Sequence, residues 1–114
     1  MHCQWVLWCN TTLERKAAKL LDRVLVALGR EPTSIAYDPD IDIPGIRVTF
    51  TTALPNLARD SCIVEAMALC QKVGANWMIE GSVHKCLSFS CQHTHISGVS
   101  ICECYLVEAS SGDA

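Results

Sequence analysis

Apolar residues alternate from Cys3 to Cys9, with Cys3, Trp5, Leu7 and Cys9 on one side and Val6 and Trp8 beside Gln4 on the other. That period predicts a β-strand. Both of its sides are largely apolar, as a central strand requires. The period then changes. Leu13, Ala17, Leu20, Leu21, Val24 and Leu28 recur at helical spacing, with Arg15, Lys16, Lys19, Asp22 and Arg23 off the stripe. Thr11-Thr12-Leu13-Glu14 has the form of a capping box, in which a Thr oxygen accepts the N3 amide and Glu14 reaches back. Gly29 is a natural helix stop and Pro32 forbids continuation, so a helix is expected from about Thr12 to Leu28.

Ser34 to Tyr37 is a short strand candidate. The run Asp38-Pro39-Asp40-Ile41-Asp42-Ile43-Pro44-Gly45 follows as a loop or irregular edge, because two prolines and a glycine interrupt pairing. Ile46, Val48 and Phe50 alternate with Arg47, Thr49 and Thr51 as a strand does. Pro55-Asn56 opens a second helix, roughly Leu57 to Val73, with a stripe of Cys62, Ile63, Ala66, Leu69, Cys70 and Val73. Gly74 is expected to end it as Gly29 ends the first. Trp77 to His84, residues 86 to 98, and Val99 to Glu108 read as three further strands, with a turn near Ser97-Gly98.

The predicted order is β-α-β-β-α-β-β-β. Two helices on one face of a mainly antiparallel sheet satisfy it, as a ferredoxin-like β-α-β-β-α-β core with an extra C-terminal hairpin. Residues 1–109 form one α+β domain and 110–114 a polar tail, a length that buries a core without staples.

Composition narrows the function. The net charge of −3 lacks the basic stripe of a nucleic-acid binder but suits a basic protein partner. No segment reaches the roughly 20 apolar residues of a membrane span, and the N-terminus lacks the pattern of a signal peptide. The eight cysteines fall inside strands and helices with no plan for pairing, so a cytoplasmic chain with reduced, mostly buried thiols is expected.

Two groups of side chains carry candidate chemistry. Cys91, His93 and His95 lie at alternate positions, Cys102 and Cys104 share a face of the next strand, and His84 and Cys86 are near in sequence. Thiolate and imidazole are zinc ligands, but alternate residues on a flat strand stand about 6–7 Å apart and the spacing is no zinc signature. The competing reading is buried thiols and surface histidines, so no metal and no cofactor is expected. Asp38, Asp40 and Asp42 also alternate, without the glycine and distal glutamate of a calcium loop. Such a stiff acidic loop suits docking against Lys or Arg of a partner. A catalytic thiol requires a depressed pKa. Cys62 sits on the core stripe, and the sequence places no histidine beside it or beside Cys9, so both read as structural and no enzyme activity is expected. Trp5 and Trp8 cannot share a face of the first strand; if no helix covers the second face, it is an aromatic interface.

In size, charge and element order, the chain resembles the immunity proteins that neutralise bacterial contact-dependent inhibition toxins. The resemblance implies a cognate toxin domain as partner, often a nuclease, and no direct contact with nucleic acid. Asp38, Asp40, Asp42 and Glu31 are the expected contacts, with Tyr37 as an aromatic anchor. The alternatives are a small-ligand regulatory domain similar to the ACT-type modules and a Cys/His zinc protein.

Overall fold

The computed structural model describes residues 1–39, 45–82 and 86–108. Its elements run β1 (His2–Cys9), α1 (Glu14–Leu28), β2 (Ser34–Pro39), β3 (Ile46–Ala53), α2 (Arg59–Val73), β4 (Gly74–Ala75), β5 (Met78–Gly81), β6 (Leu87–Cys91), β7 (His93–Thr94) and β8 (Val99–Val107). The class is α+β, with two helices and a six-stranded sheet in the order β2-β3-β1-β8-β6-β5. Every adjacent pair in that sheet is antiparallel. β4 and β7 form a separate two-stranded patch.

β1 is central, as its two apolar faces require, lying between β3 and β8. Its partner on one side is the last strand of the chain. The β5–β6 pair precedes that strand in sequence and widens the sheet beyond it. In sequence, β5 and β6 lie between α2 and β8.

One core joins both helices to one face of the sheet. Cys3, Trp5, Leu7 and Cys9 of β1 meet Val48 and Phe50 of β3, and Cys102 and Cys104 of β8. Ala17, Leu21, Val24 and Leu28 of α1 and Cys62, Ala66, Leu69, Cys70 and Val73 of α2 cover them. Burial of this apolar surface is the main force holding the layers together.

Two of the helix ends depart from the expected caps. α1 begins at Glu14, and its cap residue Leu13 makes no side-chain cap bond. Thr11 Oγ1 instead accepts the Leu13 amide at 3.1 Å, a local turn that competes with the capping box. At the other end, Gly29 adopts φ 67° and its N–H reaches the Leu25 carbonyl at 2.8 Å, the expected left-handed stop. Gly74 works differently. It is extended at φ −166° and leads straight into β4. A Cβ there would stand 2.6 Å from Cys91 Sγ and 2.9 Å from the His93 carbonyl oxygen, so glycine is required for space and not for handedness.

The long strand expected over 86–98 is two pieces. β6 stops at Cys91, and His93–Thr94 pair with Gly74–Ala75 after the end of α2. The Cys91 thiol donates to the Ala75 carbonyl at 3.1 Å and accepts the His93 amide at 3.3 Å, filling the break with hydrogen bonds that strand pairing would otherwise supply. Likewise, the strand expected from Trp77 is limited to Met78–Gly81 among the described residues. The Trp77 indole N–H turns back to the Gly74 carbonyl at 3.1 Å.

Candidate functional site

Strand alternation and register decide what the face of the sheet opposite both helices presents, a face left uncovered among the described residues. Three rows cross it. The first is Asp38, Arg47, Trp8 and Ile101. The second is Ala36, Thr49, Val6, Glu103, Ser90 and Met78. The third is Ser34, Thr51, Gln4, Tyr105, Ser88 and Glu80. Both helices pack on the opposite face, so Trp5 is fully buried while Trp8, three residues on, is only half-buried. The division of the two tryptophans follows from strand period alone. The carboxylates beside Trp8 do not, because they arrive through pairing between the two ends of the chain.

At one end of this face lies a concavity of about 400 Å³ lined by Trp8, Asn76, Met78, Ser90, Gln92, His93, Ile101 and Glu103. Asn76 enters it from a left-handed turn at φ 58°, a conformation that Asn tolerates better than most residues. Glu103 is held from behind: the Tyr105 hydroxyl donates to its Oε2 at 3.0 Å. Partial burial and that bond to the carboxylate push the Tyr105 phenol up. Glu80 also acts on Tyr105, which places a second carboxylate in the same field.

The expected contact residues do not form one surface. Asp38 is on the uncovered face, cross-strand from Arg47. Tyr37 has the opposite parity and packs against the core, near Asp22 and Glu14 of α1. Glu31 lines a groove with Asp22, Arg30 and Ile35 between the end of α1 and β2. Asp40 and Asp42 lie outside the described residues, as do His84 and the tail 110–114.

The cysteines and histidines separate by burial. Cys91, Cys102 and Cys104 are buried in the core, whereas His93 and His95 are exposed. The break after Cys91 removes the alternation that placed all three residues of that strand on one face. Among the described residues, no group of three or more His, Cys, Asp or Glu side chains is arranged to hold a metal ion. All eight cysteines are free thiols, seven buried and Cys86 exposed. Cys102 and Cys104 have pKa values well above the ordinary range because burial penalises the thiolate, and Cys104 shares hydrogen bonds with Cys3 and Cys70. Burial also pushes Cys9 up to about 11, the reverse of activation by the helix that follows it. Cys62 is buried and donates to the carbonyls of Pro55 and Leu57 at 3.7 and 3.6 Å. These thiols behave as small hydrophobes in packing.

No helix among the described residues is long and apolar enough to cross a membrane. No protein-family model, no curated protein and no solved structure matches this chain.

Proposed function

We propose that this chain is a small binding protein whose ligand is another protein, and that it serves as an immunity protein neutralising a toxin domain. The observation that carries the reading is the uncovered sheet face. It presents Trp8, Ile101, Tyr105 and Met78 among Glu103, Glu80 and Asp38, with both helices on the other side. Aromatic side chains that are rigid and partly exposed are the usual anchors of protein interfaces. The acidic members suit a basic surface, such as the one with which a nuclease holds phosphate. This reading moves the expected interface from the loop after β2 to the sheet, with Asp38 retained at its margin.

We read β2-β3-β1-β8 and the two helices as a ferredoxin-like core, closed by the chain's last strand and widened by β5 and β6. The cytoplasm is the compartment that suits eight free thiols, since reducing conditions keep them unpaired.

Native mass spectrometry of the tagged chain recovered from its own cells tests the reading. The expected result is a stoichiometric complex with one protein, lost when Trp8 and Tyr105 are both replaced by alanine. The protein recovered must arrest growth when expressed alone and cease to do so when this chain is co-expressed. A chain recovered alone, or a partner unaffected by the double substitution, overturns it.

A further inference from the structure

We infer that the concavity between Trp8 and Glu103 is a cation-recognising site that takes an arginine side chain of a basic protein partner. The inference deepens the protein-binding reading above and rests on it. Three observations carry it. First, Trp8 lines the concavity and is half-buried; an indole attracts positive charge through its quadrupole, and guanidinium stacks on it better than ammonium does. Second, a carboxylate with a hydrogen-bond partner of its own lines the same concavity. Glu103 lies one row from Trp8, on the neighbouring strand, and the Tyr105 hydroxyl holds its Oε2 at 3.0 Å. A carboxylate held in this way loses less freedom on accepting a charge-assisted bond from an arginine N–H.

Third, the charges nearby select the sign of the ligand. Among the described residues, neither Lys nor Arg lines the concavity; Glu103 is its one carboxylate and His93 its one imidazole. Glu80, in the same cross-strand row as Tyr105, adds a second negative charge. Arg47 stands cross-strand from Trp8, but Asp38 stands cross-strand from Arg47 on its other side, which offsets its field. An anionic ligand would meet Glu103 directly. The side chains of Asn76, Ser90 and Gln92 supply neutral oxygens for the remaining guanidinium N–H groups. A volume of about 400 Å³ admits an arginine side chain with room for water.

The test is a titration of the isotope-labelled chain followed by NMR, with a short oligoarginine peptide and its neutral citrulline counterpart. Saturable shifts at the Trp8 indole N–H and at the Ser90 and Glu103 amides are expected with arginine and not with citrulline. Glu103→Gln and Trp8→Ala should each weaken the interaction by about tenfold or more, with the fold checked by unchanged dispersion of the other resonances. Equal shifts with citrulline, unchanged affinity in Glu103→Gln, or no saturable shift with arginine would each overturn the cation assignment. The two readings fail separately: a partner complex lost on replacing Trp8 and Tyr105 but untouched by Glu103→Gln keeps the sheet face as interface and removes the arginine site.

Discussion

The indole N–H of Trp5 donates to the Thr52 hydroxyl at 2.9 Å, and both residues are fully buried. The same indole is near-parallel to the Phe50 ring, with centroids 6.1 Å apart and planes inclined by 10°. A large apolar ring thereby enters the core without leaving its polar atom unpaired. Replacing Thr52 with valine keeps the shape and removes the acceptor. The expected cost is about 1–3 kcal/mol, the penalty of a buried donor left without a partner. Thr52→Ser keeps the acceptor and should cost about 1 kcal/mol, for the lost methyl group. Urea denaturation of the two variants distinguishes them, and a valine variant as stable as wild type would show that the bond contributes nothing net.

The two tryptophans of β1 should respond unequally to truncation. Trp5→Ala opens the core and is expected to lose about 3–5 kcal/mol, enough to unfold many domains. Trp8→Ala removes a half-buried ring from the uncovered face and should cost much less. Thermal melts of the two variants side by side measure the difference. Equal losses would mean that Trp8 is as important to the fold as Trp5, which its exposure contradicts.

At Gly74 the backbone is extended and the constraint is room. A methyl group there would press on Cys91 Sγ and on the His93 carbonyl, at 2.6 and 2.9 Å. Gly74→Ala should destabilise the chain by about 1–3 kcal/mol through overpacking. It should also loosen the β4–β7 pair first, visible as faster amide exchange at Ala75 and His93 than elsewhere. Wild-type exchange in both would show that the patch yields without cost.

Stability should fall in alkali. In the unfolded chain the Cys9 thiol ionises near its ordinary value of 9.0, and in the folded chain near about 11. Between those values the folded state keeps a proton that the unfolded state releases, so raising the pH favours unfolding. Cys9 thus contributes stability that is present below about pH 9 and lost as pH rises through about 11, on the order of 2–3 kcal/mol. Cys102 and Cys104, raised by burial, act with the same sign. Denaturation between pH 7 and pH 11 should show this loss, and Cys9→Ala should make it smaller. A flat profile would mean that Cys9 ionises without opening the core.

Thiol accessibility gives a direct check on the core. At neutral pH, brief treatment with an alkylating reagent should modify Cys86 alone, since the other seven thiols are buried. All eight should react after unfolding. Rapid native labelling of Cys102 or Cys104 would contradict their place beneath α2.

The period of apolar residues was enough to identify the strand at Cys3–Cys9, both helices and the alternation of β3 and β8. It also separated Trp5 from Trp8, because successive side chains of a strand point to opposite faces. It placed Cys62 and Cys70 on the buried side of α2 for the same kind of reason. These are local properties, set within a few residues by backbone geometry. Tertiary structure decided the rest. Cys91, His93 and His95 share a parity that a continuous strand would honour, but the chain breaks at Gln92 to pair with the residues after α2. Tyr37 and Asp38 are neighbours in sequence and opposite in direction, so the acidic loop and its aromatic anchor do not form one surface. Trp8 shares a concavity with Glu103 because β8 returns to lie beside β1, a pairing between the two ends of the chain that no local period encodes. Sequence alone determined which side chains face together along each element; the order of strands in the sheet determined which of those faces became neighbours.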